Sequence, residues 1–375
     1  MKLTTAGESH GKALVAIIEG LPAGLKLDFD EIRTALALRQ SGYGRGGRQK
    51  IERDTAEILT GVRNGVTLGS PVTLAVYNRD YENWKAYMAP EGCDTSARVL
   101  SKVRPGHADL TGLKKFGGTD ARNILERASA RETAVRVAAG TVFRQYLRAF
   151  GVEIAGYVRV CGEVRDDKEY TFEEIACNRS PLLGMMNAEK EREAAAYIDD
   201  CAAKGDTCGG ILEIRVKGLK SGFGSCMTYA EKLDARLSAA LMSVQAIKGV
   251  EVGIGFGAAV RRGSEVHDEI FGGEGGFRRR TNRAGGIEGG MSNGEELVFR
   301  AAMKPIPTLM KGLNTVDCAT GQPARAAAER SDTCAVTACG VVLESALAAE
   351  LAAVVSERLG GDNMAEVVER YGRLS

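Results

Sequence analysis

The segment Arg39-Gln40-Ser41-Gly42-Tyr43-Gly44-Arg45-Gly46-Gly47-Arg48 contains the pattern G-x-G-x-x-G at positions 42 to 47. In a dinucleotide-binding fold those glycines follow a buried strand and open a helix whose first turn receives the pyrophosphate. Here the order is reversed. Asp28 or Asp30 reads as the cap of a helix with Ile32, Leu36 and Leu38 on its apolar face, ending near Arg39, so a helix precedes the glycines and a basic segment follows. A doubly wound parallel sheet thereby loses its fingerprint. The loop keeps another use, because Arg39, Arg45 and Arg48 among glycines present guanidinium forks suited to a small polyanion. One copy of Arg45-Gly46-Gly47-Arg48 is too little for an RNA-binding arginine-glycine segment.

Outward from this loop, Ala13 to Ile18 is a short apolar run bounded by Gly11 and Gly20, and reads as a buried strand. Ile58 to Val62 and Pro71 to Tyr77 alternate with glycines as antiparallel strands do. The clearest helix spans about 130 to 150. Ser129-Ala130-Arg131-Glu132 has the form of a capping box, and Ala134, Val137, Ala138, Val142 and Tyr146 follow at helical spacing. A start of this kind directs backbone donors at an anion. Val152 to Val164 and Gly210 to Val216 read as strands flanking a helix near 189 to 203. Ala230 to Ile247 reads as a second long helix, Gly249 to Ala259 as a strand, and Glu265 to Met291 as a long loop. Gly20-Leu21-Pro22-Ala23-Gly24 and Gly218-Leu219-Lys220-Ser221-Gly222 each lead toward a helix, a faint echo that suggests an internal duplication. Residues 1 to 375 are taken as a single domain.

Fifty basic and 49 acidic residues leave a net charge of +1, so no global field draws the chain to nucleic acid or an anionic membrane, and any anion site must be local. No run of 18 apolar residues occurs, and the expectation is a cytoplasmic protein without a membrane partner. The nine cysteines contain no C-x-x-C pair. Reduced structural thiols are expected, and no metal.

Three histidines carry the remaining signal. His10 lies in Gly7-Glu8-Ser9-His10-Gly11 and His107 in Arg104-Pro105-Gly106-His107-Ala108-Asp109, both on turn-prone backbone beside charged residues, which is the equipment of proton transfer. His267 sits in a charged run and reads as solvated. Ser9 and His10 are not read as a nucleophile and base, because adjacent side chains rarely face one another and no nucleophile elbow surrounds Ser9. Paired prolines in Lys304-Pro305-Ile306-Pro307-Thr308 stiffen a loop that presents Lys304 and Thr308 as donors.

In this order, Gly7 to Gly11, Arg39 to Arg48, Arg104 to Asp109, Glu126 to Thr133, Gln245-Ala246, Ala284 to Ile287, Lys304 to Thr308 and Arg330-Ser331-Asp332 resemble the motifs of the chorismate synthase family across almost the whole chain. Ser331 stands where many members carry histidine. The resemblance implies an α/β (α+β) sandwich of helices between antiparallel β-sheets, assembled as a homotetramer. It implies a lyase that converts 5-enolpyruvylshikimate 3-phosphate to chorismate and phosphate, the last step of the shikimate pathway, with reduced FMN and no net redox change. In the family's usual mechanism an electron passes transiently from flavin to substrate, phosphate leaves C3, and the C6 hydrogen is lost toward flavin N5. His10 would then protonate the departing phosphate, His107 would act at the flavin, and Asp332 would be the acid near N5. FMN contacts would fall on Arg127, Ala128, Ser129, Gln245, Ala246, Gly289, Lys304, Pro305, Ile306, Pro307, Thr308 and Arg330. Arg39, Arg45, Arg48 and Arg131 would receive substrate or NADP phosphate groups. The monofunctional form is expected, with a flavin reductase as functional partner and NADPH as a candidate reductant.

Overall fold

The computed structural model describes residues 1–46, 53–273, 276–326 and 332–374. Gly47, Arg48, Arg330 and Ser331 lie outside the described residues. The first sheet contains β1 (Lys2–Gly7), β2 (Ala13–Glu19), β3 (Ala56–Thr60) and β4 (Val72–Tyr77) in the order β1-β2-β4-β3, antiparallel throughout. One face packs on the core. β2 buries Leu14, Ala16 and Ile18 and turns Ile17 and Glu19 outward, the alternation of a sheet with one wet face. Between β2 and β3 runs α1 (Phe29–Gln40), where the Asp28 carboxylate accepts from the N–H groups of Asp30 and Glu31, as the sequence suggested.

A helical excursion follows: α2 (Tyr81–Met88), α3 (Asp109–Phe116) and α4 (Arg122–Ala128), then α5 (Thr133–Arg148). The second sheet combines β5 (Glu153–Cys161), β6 (Val164–Arg165), β7 (Gly210–Lys217), β8 (Ile247–Val252) and β9 (Leu297–Met303) in the order β8-β9-β7-β5-β6, again antiparallel. The helices α6 (Phe172–Asn178), α7 (Ala188–Ala203) and α8 (Leu233–Met242) flank it. The chain closes with α9 (Val336–Leu359) and α10 (Met364–Gly372).

The layers are sheet, helix, helix, sheet. α5 lies on β2 and β4, α9 lies on β5 and β7, and the two helices pack on each other. The approach is close because Gly140 has no side chain: a Cβ there would stand 2.3 Å from the Cβ of Ser345. α9 is apolar on every side and buried on every side, the pattern of a core helix. Length and composition alone would also suit a membrane span, but 89% of its most apolar stretch is covered by the protein itself. Its one buried acid, Glu344, accepts from Arg144 of α5 at 3.0 Å and pairs with Arg179.

Three sequence expectations change here. The capping box at 129–132 is absent: Ser129 Oγ accepts from Arg131 N in a 3-10 turn over Ala130–Glu132, and Glu132 instead accepts from Thr5 Oγ1 at 2.7 Å and Gln245 Nε2 at 3.2 Å. The helix expected over 230–247 ends at Met242, because the backbone reverses through Ala246 at φ +71° to start β8. The expected loop 265–291 contains a hairpin, Ile270–Gly273 with Gly276–Arg279, braced by Asp268, which accepts from the N–H groups of Arg283 and Ala284. The Gly20 and Gly218 turns do share a setting, since both leave the end of an antiparallel strand at positive φ.

Candidate active site

A cavity of about 570 Å³ opens where the β1–β2 turn, the 104–108 loop, the end of α4, the 244–246 reversal and the 303–308 segment meet. That volume is within the roughly 300–1,000 Å³ of small-ligand sites.

His10 enters on the β1–β2 turn. The turn is held by Asn78 Nδ2, which donates to the carbonyls of Gly11 at 2.7 Å and Glu8 at 3.2 Å. Glu126 of α4 then fixes the histidine twice: Oε2 accepts from His10 N at 2.7 Å and Oε1 contacts Nδ1 at 2.8 Å. Because a carboxylate only accepts, Nδ1 carries the hydrogen, and Nε2 remains for proton exchange. Trp84 stacks on the imidazole with 3.9 Å between ring centres, and the Arg98 guanidinium covers the indole at 4.1 Å. The ring therefore has one face closed and one nitrogen committed.

His107 repeats the device with a different acid. Its Nδ1 makes a close contact with Asp109 Oδ1. Arg104 spans the same carboxylate, with Nε donating to Oδ2 at 2.9 Å and Nη2 donating to Oδ1 at 3.0 Å. Burial alone would raise the Asp109 pKa, but His107 and Arg104 outweigh it and hold the carboxyl well below its usual range. Asp109 is thus an ionised acceptor, and Nδ1 of His107 is the donor to it. Arg104 also reaches Thr308 Oγ1 at 3.2 Å, and Lys304 Nζ donates to the Gly106 carbonyl, so the 104–109 loop is tied to the 303–308 segment.

The arginines expected to meet an anion line the cavity with their own counterions. Asp54, which the sequence reading missed, accepts from Arg131 Nη1 at 2.6 and 2.7 Å and from Arg39 Nη1 at 3.2 Å. Burial, with smaller contributions from neighbouring arginines, lowers the Arg39 pKa to about 10, which leaves it cationic at neutral pH. Arg45 Nη1 contacts Asp332 Oδ2 at 2.7 Å, and Gly46 N donates to Asp332 Oδ1 at 2.6 Å. Five cationic side chains, Arg39, Arg45, Arg104, Arg131 and Lys304, line the cavity against one lining carboxylate, Asp332. The balance is positive, as a polyanionic ligand requires.

Of the sequence-predicted residues, His10, His107, Asp332, Arg39, Arg45, Arg131, Ala128, Ser129, Gln245, Ala246, Lys304, Ile306, Pro307 and Thr308 share this one cavity. Three others do not line it. Arg127 turns away to the carbonyls of Thr5 and Gly7 at 3.1 and 3.2 Å, where it holds the end of β1. Pro305 has its place in the backbone between lining residues, and Gly289 occupies a hairpin turn at φ +58°. His267 is exposed, as its charged surroundings suggested. Glu126 and Asp109 stood in the quoted motifs without a role. Asp54 and Trp84 had no signal in the sequence, because each reaches the site only through the fold.

The cavity also fits a flavin on its own terms. Gln245 Oε1 and Arg45 Nε are buried at its wall without a hydrogen-bond partner among the described residues, an acceptor and a donor awaiting a ligand. Val244, Ala246, Ile306, Pro307, Ala338 and Val342 add an apolar lining against which a flat ring can lie.

The chorismate synthase family model matches residues 1–355. The chorismate synthase of Geobacter sulfurreducens is 52% identical over 99% of this chain and 97% of its own length. That of Pelobacter propionicus is 54% identical with the same coverage. A crystal structure of chorismate synthase, 41% identical, matches with a TM-score of 0.79 over 99% of this chain and 96% of that one. Motif order, layered fold and near-complete coverage agree: the chain belongs to the chorismate synthase family.

Proposed function

We propose that this cavity eliminates phosphate from 5-enolpyruvylshikimate 3-phosphate to give chorismate, with His10 as the acid at the leaving group. As a chorismate synthase the chain is a lyase, and its substrate carries a phosphate and two carboxylates. The observation that supports the reading best is the pair of histidines, each with Nδ1 held by a carboxylate, on the wall of one net-positive cavity.

Each residue then has a task. Arg45, beside Asp332, and Arg39 and Arg131, beside Asp54, position the substrate's anionic groups, and their carboxylate partners keep the guanidiniums oriented before it arrives. The His10 imidazolium, stabilised by Glu126, gives its Nε2 proton to the departing phosphate oxygen. Trp84 shields that ring from water. Gln245, Ala246, Lys304 and the 306–308 segment would hold reduced FMN, and His107, oriented by Asp109, would hold or exchange a proton beside it. What reduced FMN supplies when bound is transient electron density that eases carbon–oxygen cleavage without net oxidation.

Released phosphate in an anaerobic assay with reduced FMN tests the assignment. His10→Ala and His107→Ala should each lower turnover by roughly a hundredfold or more, as loss of a positioned proton carrier does. Near-normal rates in both variants would contradict the roles. We assign FMN reduction to a separate flavin reductase using NADPH, and place the enzyme in the cytoplasm as a homotetramer of 39.9 kDa chains. Sedimentation at the monomer mass would overturn the assembly.

A further inference from the structure

Three of the cysteines converge from distant parts of the chain. Cys161 ends β5, Cys208 lies just before β7 and Cys334 just before α9, and all three are buried. Their Sγ atoms lie within 4.8 Å of one another, with 3.9 Å between Cys161 and Cys334. A buried thiol is ordinarily a small apolar side chain. That explanation does not require three sulfurs to face one point. The cluster is three free cysteine side chains turned toward one another in a dry surrounding.

We propose that Cys161, Cys208 and Cys334 bind a single thiophilic d10 cation, Cu(I) or Zn(II), as a three-sulfur site. A cation about 2.3 Å from each of three sulfurs in a plane needs sulfur separations of about 4.0 Å. The Cys161–Cys334 pair already meets that distance, and the remaining separations need to close by less than about 1 Å. Soft thiolates select both ions. Three sulfurs satisfy Cu(I), whereas zinc wants a fourth donor. Binding displaces the thiol protons to solvent and leaves three thiolates on the ion.

The location gives the site a consequence. Thr333 and Cys334 donate their N–H groups to the Gly44 carbonyl, Cys208 N donates to the Thr333 carbonyl, and Asp332 holds Arg45 and Gly46. An ion on the three sulfurs braces the segment that carries Asp332 and the arginine loop, directly behind the cavity. Sequence spacing could not announce it, since 161, 208 and 334 form no local motif.

The test uses the full reduced chain under anaerobic conditions, loaded separately with Cu(I) and with Zn(II), then desalted against a competing chelator. One ion per chain is expected, and X-ray absorption of the wild type should show three sulfurs at about 2.3 Å, with one further light donor from solvent in the zinc form. Cys161→Ser and Cys208→Ser should bind more than about a hundredfold more weakly, beyond the loss typical of an outer-shell partner. Cys177→Ser and Cys226→Ser, at exposed positions, should bind as the wild type does. Retention of neither ion by the wild type, a shell of two sulfurs or fewer, or conversion of Cys161 and Cys334 to a disulfide under the loading conditions would overturn the proposal.

Discussion

A histidine moves protons usefully only when its other nitrogen is committed, and this chain commits Nδ1 twice with different acids. At His10 the acid is Glu126, which bonds both the ring and the His10 backbone. Glu126→Gln keeps the shape and removes the charge that stabilises the imidazolium. We expect turnover to fall at least about tenfold with little change in KM, since the substituted side chain does not line the cavity; steady-state kinetics showing unaltered turnover would remove Glu126 from the account. Asp109 makes a pH prediction. Its pKa is depressed in the fold, so the stability it contributes is present above the ordinary carboxyl value of about 4 and is lost as pH falls below it. In urea unfolding the stability gap between wild type and Asp109→Asn should be widest near about pH 7 and narrow below about pH 4. A gap that widens on acidification would have the wrong sign. Residue by residue, the loop histidines and arginines were legible because glycine, charge and histidine coincide in short segments. Asp54 and Trp84 were not, because their roles are set by partners 15 to 77 residues away, as with Asp54, or by ring stacking across the turn.

At the scale of elements, strands and amphipathic helices could be read and the core helix could not. β2 and β4 announce themselves by apolar runs between turns, and α1 by its cap and one apolar face. α9 has no polar side to set a period, so 24 residues at the centre of the molecule leave no helical signature in the sequence. The false capping box has the opposite cause: a local pattern was present, but Thr5 and Gln245 took Glu132 in the folded chain. The contact between α5 and α9 also makes a prediction. Gly140→Ala places a methyl 2.3 Å from Ser345 Cβ and should destabilise the fold by about 1–3 kcal/mol in denaturant unfolding, the cost typical of overpacking. A Cβ there would also stand 2.6 Å from the Ser345 Cα, so no change of the Ser345 side chain relieves it. Unchanged stability in Gly140→Ala would show that the helices do not meet as described.

On the scale of the whole molecule, the cavity depends on both sheets. His10 comes from the first sheet, the 244–246 and 303–308 walls from the second, and α5 and α9 set the distance between them. The sandwich itself came from the family resemblance, because the elements that could be read suit other α+β arrangements equally well. The central claim is that this composite site removes phosphate with a reduced flavin that is returned unchanged. Anaerobic turnover of 5-enolpyruvylshikimate 3-phosphate, with chorismate and reduced FMN measured in the same sample, tests it most directly. The account predicts many chorismate molecules per flavin with the flavin still reduced at the end; one flavin oxidised for each chorismate formed would contradict it.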